Sequence, residues 1–552
     1  MSRNNKKSNG AKRAEFLSAR FLMVFTGIYL FLLCVVYPLY YEKEFSNIGD
    51  AKWHFYRMIT VYARTIYFPI PTFIFLFLAG LLWFLIDVQK RQGIINFLKE
   101  KAVITDVFVL AYGILTGVAC IITPYRKFLL NGYPTWYMGL WVQLGLVVTY
   151  FAVSYFWKND SLGILIFFIV SAVVIFIAIL NRYGIDPLGM YPEIEKVRHE
   201  YLSTIGQRTM YSGYLMTVFP VGVYLYWSTE KKGLRIGSLF YLIIGFMSII
   251  TADADSAILG LIGMFAVLFW FSFRDNESMK RFLEILLIML LSWRAAGLLQ
   301  SVFPDKSADT DSIMKFGSLD QRMWLVITVL AVLYVLLQVM TRKSRSFSVS
   351  SIKALRNILT AALPVMIIWG IVYIILNTGN YLPDFISFGK DANKHESYLV
   401  YNDYWGNYRG IHWNTAFKTM AHTLKEDLPR FILGAGPDEY NEVLYHYCAD
   451  ELNAFYGKRQ IVCAHNETIT QFVNGGILGG LAYLGIFISA FMLSAKKSNK
   501  HSELIAVMMC IASYFFHNIF CYQRITCTPF IFVIFATGMN IIRNNGSYSV
   551  HQ

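Results

Sequence analysis

Apolar runs of about 20 residues recur along this 552-residue chain and constrain its fold more than any other feature. A helical run of this length matches the roughly 30 Å hydrocarbon core of a bilayer. A helix also satisfies its own backbone hydrogen bonds, which lipid cannot do. Only 15% of the residues are charged, against about a quarter in soluble domains, and they cluster between the runs. The pattern predicts an all-α polytopic membrane protein.

We expect about fourteen transmembrane helices, within a range of 12–14, because that number of apolar runs is long enough to span. The predicted spans cover residues 19–40, 67–88, 102–122, 137–156, 162–181, 209–228, 236–252, 256–273, 282–303, 321–341, 358–377, 471–494, 503–521 and 527–543.

The distribution of basic residues predicts that both termini are cytoplasmic. Lys and Arg are concentrated in residues 1–20, 90–101 and 342–356, and basic residues favour the cytoplasmic side of a membrane. No small-residue cleavage site follows the first apolar run, so we interpret that run as a retained helix. The net charge of +14 is spread over short loops and forms no single basic face, which argues against nucleic-acid binding. The predicted location is the cytoplasmic (inner or plasma) membrane.

Three regions follow from this layout. Residues 1–377 carry the first eleven spans, residues 378–470 form a large extracytoplasmic loop, and residues 471–552 carry the last three spans and a cytoplasmic tail. Within the loop, apolar residues recur at helical spacing, which predicts an amphipathic helix; they are Trp413, Phe417, Met420 and Leu424. A mobile tether is the alternative interpretation of the loop.

Two of the seven cysteines, Cys448 and Cys463, lie in this outer loop, where oxidation is favoured. We predict that they form a disulfide. Cys521 and Cys527 flank a short outer turn and are a second candidate pair. No His or Cys spacing is typical of a metal site, so we expect neither a metal nor a cofactor.

The strongest chemical signal is His465-Asn466, followed after nine residues by Gly476 and then Gly479, at the point where the loop re-enters the membrane. The imidazole pKa lies near neutrality, so His465 can accept a proton from a hydroxyl group. Asn466 can orient a neighbour or bind a sugar hydroxyl, and glycines permit close helix approach. A structural histidine is the alternative.

This pattern resembles the signature of the O-antigen ligase and polymerase family of membrane glycosyltransferases. Arg409-x-x-x-Trp413 and Gly434-x-Gly436 are similar to two further elements of the family, and the segment beginning at Arg208 is similar to a third. The chain departs from the family at residues 253–257, where Asp-Ala-Asp-Ser-Ala replaces a Ser-Arg pair, and fourteen spans exceed the twelve common in the ligases.

The resemblance implies a GT-C-like fold and an activity. A glycan on an undecaprenyl diphosphate carrier would be transferred to an acceptor hydroxyl at the outer face, with metal-independent inversion. His465 would be the general base. The anionic leaving group requires cations, and the candidates for binding the diphosphate are Arg208, Arg294 and Arg409. The implied partners are the lipid-linked oligosaccharide donor, a glycan or lipid acceptor, and membrane lipids.

Several alternatives stay open at the level of sequence. A polymerase, a ligase and a protein glycosylase would share the donor chemistry and differ in the acceptor. A transporter or flippase for lipid-linked glycans is the competing class, although no internal repeat marks it. Some loop residues are ambiguous between a solvated face and contacts to an acceptor; they are Asp438, Glu439 and Glu442. Glu467 can orient His465, and three further histidines are read as surface or packing residues: His412, His422 and His446.

Overall fold

The computed structural model describes residues 17–42, 48–64, 68–158, 161–191, 200–304, 312–342, 347–388 and 398–544. Most of the basic N-terminal segment and the end of the C-terminal tail, both predicted to be cytoplasmic, lie outside the described residues. The helices are α1 (Leu17–Leu39), α2 (Ile48–Thr60), α3 (Phe73–Arg91), α4 (Ile94–Lys101), α5 (Ile104–Ile122), α6 (Leu140–Phe156), α7 (Ser161–Arg182), α8 (Arg208–Ser228), α9 (Lys232–Ala252), α10 (Asp255–Ser272), α11 (Asn276–Val302), α12 (Ser312–Ser318), α13 (Met323–Arg342), α14 (Val349–Thr378), α15 (Trp405–Glu426), α16 (Leu428–Leu433), α17 (Tyr440–Tyr456), α18 (Glu467–Lys497), α19 (Leu504–His517) and α20 (Thr528–Arg543).

A helix lies at each position where the sequence predicts a span. Within the described ranges, ten helices are long and apolar enough to cross a membrane, namely α1, α3, α5, α7, α9, α10, α11, α13, α14 and α18. Helices α6, α19 and α20 are apolar but shorter, and α8 is rich in tyrosine. The short strands form two antiparallel hairpins, Tyr62–Arg64 with Pro69–Pro71 and Tyr201–Leu202 with Gly206–Gln207. The chain is an all-α, multi-pass membrane protein.

Small residues let the central helices approach closely. Helices α10 and α19 are packed together, and a side-chain carbon added at Gly263 would lie 2.5 Å from the carbonyl oxygen of Ala512. Such contacts are typical of helix interfaces in membranes, where lipid is as apolar as leucine. Helix α14 is the opposite case, since its apolar side chains are almost all exposed. The bundle therefore has a packed centre and a lipid-facing periphery.

An ion pair ties the bundle together at the end opposite the large loop. The Arg543 guanidinium on α20 pairs with the Asp106 carboxylate at the start of α5. Tyr150 and Tyr155 donate to the same carboxylate at 2.7 and 2.8 Å. Each charge of this buried pair is therefore compensated by its partner, unlike the cations at the other end of the bundle.

The large loop is folded and not a tether over residues 398–466. Helices α15 and α17, with the start of α18, enclose an apolar cluster that includes Ile411, Tyr440 and Leu444. The predicted helix at Trp413–Leu424 is confirmed, and its apolar residues divide between the packed side and the exposed side. Phe417 and Leu424 are exposed, because small residues form the packed face: Thr415, Ala416, Thr419 and Thr423.

Candidate active site

His465 lies where the loop joins α18, with its ring held between two other rings. The His412 ring is 4.9 Å away and the Tyr522 ring 5.2 Å away, both nearly perpendicular to the imidazole. Neither ring nitrogen of His465 hydrogen-bonds to any described residue, and the backbone is left-handed with φ +48°. Strained backbone of this kind is costly and concentrates at functional sites. The imidazole is thus positioned by packing, with both nitrogens available to a ligand.

Arg409 stands at the first regular turn of α15. The residues just before it, Gly406, Asn407 and Tyr408, all have left-handed backbone. The kink folds the guanidinium back, so that it donates to the Gly406 carbonyl and, at 3.3 Å, to the Phe520 carbonyl. Its Nε is buried without a hydrogen-bond partner. Arg409 forms no ion pair with a carboxylate among the described residues, and its charge is left available.

A second such cation, Arg524, was not predicted from the sequence and is 2% exposed. Its Nη1 donates to the Thr209 hydroxyl at 2.9 Å, and the guanidinium lies 4.1 Å from the centre of the Tyr522 ring that also contacts His465. The Nε has no hydrogen-bond partner. Within the described ranges it too pairs with no carboxylate. A buried cation without a counter-ion is costly, which indicates an anionic ligand.

Residues 518–527, which carry Arg524, were predicted in part as helix. The predicted span 503–521 is too long, because α19 ends at His517 and a buried irregular segment follows. Irregular backbone at membrane depth is tolerated where it is enclosed by protein. A lone arginine between two apolar runs looks like a topology signal. Arg524 lies on the predicted outer side, where the positive-inside rule disfavours arginine, and this was the only sequence feature that indicated a functional role.

The other two predicted arginines differ from each other. Arg208 precedes Thr209, the partner of Arg524, so it borders the site; its Nη1 lies 3.6 Å from the Asp253 carboxylate. Arg294 has no described contact with His465, Arg409 or Arg524, so its predicted role at the diphosphate stays a prediction. Its guanidinium donates to the carbonyls of Ser318 and Asp320 and lies over Trp324. These carbonyls, next to the end of α12, supply the polar partners that a cation in a span requires.

The side chains of Asn466 and Glu467 both form hydrogen bonds within the protein. Asn466 is the N-cap of α18, and its side-chain oxygen accepts from the Ile469 backbone at 3.0 Å. The Glu467 carboxylate accepts hydrogen bonds from Tyr483, Tyr514 and Asn518. It therefore points away from His465 and into the bundle. Neighbouring helix residues do not face the same side, as this pair illustrates.

The two glycine elements of the sequence meet each other. The Ala435 and Gly436 amides donate to the carbonyls of Val473 and Asn474 at 3.2 and 2.9 Å. Gly434 and Gly476, with φ of +86° and +64°, are in backbone contact. Gly479 behaves differently from the prediction, because a side-chain carbon there would have nothing within 4 Å. Close approach explains Gly434, Gly436 and Gly476 but not Gly479.

Replacing Gly476 with alanine should destabilise the protein. The new carbon would lie 2.5 Å from backbone atoms of Gly434 and Ile432. The conformation, with φ +64° and ψ −171°, is essentially restricted to glycine and costs other residues roughly 1–3 kcal/mol, and overpacking adds roughly 1–3 kcal/mol. The melting temperature of the purified protein measures the effect. Gly479→Ala is the matched control and should melt like the wild type; equal melting of both variants would show that the contact is unimportant.

The acidic residues after the Gly-x-Gly turn are not a solvated face. The Asp438 carboxylate accepts from the backbone amides of Tyr133 and Met138 at 2.7 and 3.1 Å, and Glu439 accepts from Phe128 at 2.7 Å. Burial raises the pKa of Asp438 to about 6 and that of Glu439 to about 7. Only Glu442 behaves as a surface residue, paired with Lys127. These carboxyls anchor residues 123–139 under the loop.

The raised pKa of Glu439 predicts a pH-dependent stability difference. The folded state holds this proton more tightly than the unfolded state, whose pKa is near 4.5. The stabilising contribution is therefore present below pH 4.5 and is lost as the pH rises to 7, at about 1.4 kcal/mol per pKa unit. The Glu439→Gln side chain does not ionise, so this variant does not lose stability at position 439 as the pH rises.

We expect the melting temperature of Glu439→Gln to rise relative to wild type between pH 4.5 and pH 7.5. Glu442→Gln, at a surface pair, is the control and should show a smaller change. A constant offset between Glu439→Gln and wild type across this range would contradict the assignment.

The predicted Cys448–Cys463 disulfide is absent, and both thiols are free. The Cys448 sulfur instead lies 3.8 Å from the Thr419 hydroxyl and the Thr415 carbonyl. Cys521 and Cys527 are also free. A disulfide needs a Cα separation of about 4.4–6.8 Å. Two cysteines in the same loop need not meet this requirement, and their separation cannot be read from the sequence.

The imidazoles at the site are neutral at pH 7. His412 is buried, with Nδ1 3.0 Å from the Cys463 carbonyl and Nε2 3.1 Å from the Tyr456 hydroxyl. Burial lowers its pKa to about 4. Burial, and then the neighbouring His412 imidazole and the positive charges of Arg409 and Arg524, hold the pKa of His465 well below 6.5. The site thus combines a neutral base with two fixed cations.

Among the described residues, no group of three or more His, Cys, Asp or Glu side chains is arranged to hold a metal ion. No protein-family model matches the chain, and no curated protein is significantly similar to it.

Proposed function

We propose that this protein is a membrane glycosyltransferase of the O-antigen ligase or polymerase type. The observation that carries the proposal is that Arg409 and Arg524 both lie near His465. Neither arginine pairs with a described carboxylate, and the His465 ring nitrogens form no hydrogen bond with a described residue. Two fixed cations suit a diphosphate, whose oxygens accept hydrogen bonds from guanidinium groups. A neutral imidazole beside them suits proton abstraction.

In the proposed reaction the acceptor hydroxyl attacks the anomeric carbon of the lipid-linked sugar. A bond forms between the hydroxyl oxygen and this carbon as the bond from carbon to diphosphate oxygen breaks. His465 takes the hydroxyl proton, and the diphosphate leaves with the electron pair, its charge balanced by Arg409 and Arg524. Attack opposite the leaving group inverts the anomeric centre.

Diphosphate binding would also tune the base. The cations that depress the pKa of His465 in the free protein would be neutralised by a bound diphosphate, and the pKa of His465 would then rise towards its usual value. The free protein would hold a weak base, and the complex a stronger one. Proton abstraction would thereby be coupled to the presence of the donor.

The remaining expectations belong to the same proposal. We assign the helices at all fourteen predicted spans to the membrane, although α19 has only 14 residues, or roughly 21 Å at 1.5 Å per residue, and we expect a GT-C-like arrangement. His465 would then lie at the outer face of the cytoplasmic membrane, with both termini inside. The donor would be an undecaprenyl-diphosphate-linked oligosaccharide and the acceptor a glycan or lipid hydroxyl.

Turnover in detergent distinguishes this enzyme from a transporter or flippase. The purified protein is mixed in micelles, without a second compartment, with an undecaprenyl-diphosphate-linked oligosaccharide that also serves as acceptor. The proposal predicts release of undecaprenyl diphosphate and longer glycan. Absence of release with every acceptor tested, together with donor movement across the bilayer in vesicles, would favour transport.

A further inference from the structure

A buried hydrogen-bond network surrounds Glu467, a residue that the proposed reaction does not use. Glu467 is the first residue of α18 and is 4% exposed. Its carboxylate accepts hydrogen bonds from Tyr483 on α18, from Tyr514 on α19 and from Asn518, the first residue after α19. Burying a carboxylate is costly, and a buried network whose members are all bonded fixes one arrangement of the groups that it joins. The partners of Glu467 therefore indicate what it holds in place.

One branch of the network reaches the backbone of Arg524. The Tyr514 hydroxyl donates to the Glu467 carboxylate at 3.0 Å and lies 3.0 Å from the Thr528 hydroxyl. The Thr528 hydroxyl oxygen accepts from the Arg524 amide at 3.0 Å, and the Thr528 amide donates to the Arg524 carbonyl at 2.9 Å. Each hydroxyl has one proton to donate, so the donors of this chain all point from Arg524 towards Glu467.

A second branch holds the other end of the same irregular segment. The Glu467 backbone amide donates to the Asn518 carbonyl at 3.0 Å, and the Asn518 side-chain amide donates to the Glu467 carboxylate. Residues 518–524 are thus attached to Glu467 at both ends. This segment supplies three parts of the candidate site, namely the Phe520 carbonyl that Arg409 contacts, the Tyr522 ring beside His465, and the Arg524 guanidinium.

We propose that Glu467 is a positioning residue, which acts through Tyr514 and Thr528 to fix the place of Arg524. Its neighbour in sequence, His465, is not its target, because the carboxylate points into the bundle. The effect on catalysis rests on the proposed function, in which Arg524 binds the diphosphate. The effect on the position of the segment does not rest on that function, and it can be measured without a substrate.

Two tyrosines of the network provide a matched pair of variants. Tyr483 and Tyr514 are both almost fully buried, and both donate to Glu467. Tyr514 continues to Thr528, whereas Tyr483 has no hydrogen bond to the irregular segment among the described residues. Tyr514→Phe should therefore release the end of the segment that carries Arg524, and Tyr483→Phe should leave it in place.

The labelling rate of buried thiols reports the position of the segment. Cys521 and Cys527 are buried free thiols on the segment, and Cys510 is one within α19. Purified full-length protein is treated with N-ethylmaleimide, and the labelled peptides are quantified by mass spectrometry. In Tyr514→Phe the two segment thiols should react about tenfold faster than in wild type, because the released segment opens more readily. Cys510 should react at the wild-type rate, and Tyr483→Phe should match the wild type at all three thiols.

Variants of Glu467 test the carboxylate itself. Glu467→Leu removes the acceptor and should accelerate labelling of the segment thiols as Tyr514→Phe does. Glu467→Gln keeps one acceptor oxygen, which can still serve Tyr514 and Asn518 while the amide donates to Tyr483, and it should restore slow labelling. If Glu467→Leu fails to fold, the tyrosine pair decides.

A double-mutant cycle tests whether the network acts through Arg524. Tyr514→Phe should slow the release of undecaprenyl diphosphate by about 10- to 100-fold, because a misplacement of about 1 Å costs up to about 100-fold in rate. Arg524→Met should then cost much less in the Tyr514→Phe background than in wild type, because both changes remove the same contribution. A tyrosine with a merely structural role would leave the two costs multiplicative.

The inference is overturned by equal labelling of Tyr514→Phe and Tyr483→Phe, by acceleration of Cys510 to the same degree as Cys521, or by multiplicative costs in the cycle. The labelling and turnover experiments fail separately. The expected labelling pattern in a protein without turnover would overturn the proposed function alone. Turnover with unchanged labelling in Tyr514→Phe would overturn this inference alone.

Discussion

The His465→Ala protein is expected to transfer glycan about 100- to 10,000-fold more slowly than wild type, the usual contribution of a general base. Its melting temperature should hardly change, because neither ring nitrogen hydrogen-bonds to a described residue. The initial rate of undecaprenyl diphosphate release by purified protein measures the effect. His422→Ala, at an exposed histidine on α15 paired with Glu426, is the control and should be fully active.

The pH profile separates a base from a packing residue. If His465 is the base, the acid limb of kcat/KM should lie well below pH 6.5, as its lowered pKa in the free protein requires. The acid limb of kcat should lie at higher pH, because the bound diphosphate offsets the arginines. A His465→Ala protein of normal stability and wild-type rate would remove this residue from the mechanism.

Arg524→Met should lose about 100- to 1,000-fold in transfer rate, in the range seen when one stabilising donor is removed from a transition state. It should not lower the melting temperature, since the wild type bears the cost of a buried cation without a described carboxylate. Loss of activity without loss of stability is the signature of a group kept for its ligand. Activity and melting temperature measured on one preparation test both parts.

Arg543→Met is the matched control for that variant. Arg543 is also buried but pairs with Asp106, so its removal strands a buried carboxylate and should cost about 3–5 kcal/mol. If Arg524→Met is destabilised to the same degree as Arg543→Met, Arg524 has a structural role and the diphosphate assignment loses one of its two cations.

Most of the helices were predictable from the sequence, because a 20-residue apolar run has few alternatives in a membrane. The ends were less predictable where irregular backbone is buried by protein, as after His517. The spacing of Phe417 and Leu424 predicted an apolar helix face but not which residues of α15 would pack against the protein. Packing chose smaller residues, Thr415 and Ala416, which allow closer contact with α17.

The candidate site was only half predictable. His465 and Arg409 stood out by their patterns, but Arg524 did not, since the pairing state of a cation is a tertiary property. His412 was read as a surface or packing residue, yet its position three residues after Arg409 places both on one helix face. Arg294 could not be distinguished from Arg409 by sequence, because its contacts with the Ser318 and Asp320 carbonyls are tertiary.

An electron cryomicroscopy structure of the purified protein with undecaprenyl diphosphate tests the central claim most directly. The account predicts diphosphate density between the guanidinium groups of Arg409 and Arg524, with space for the anomeric carbon and the acceptor hydroxyl between the terminal phosphate and the His465 ring. Diphosphate density that touches neither arginine, for instance density at Arg294, would contradict it.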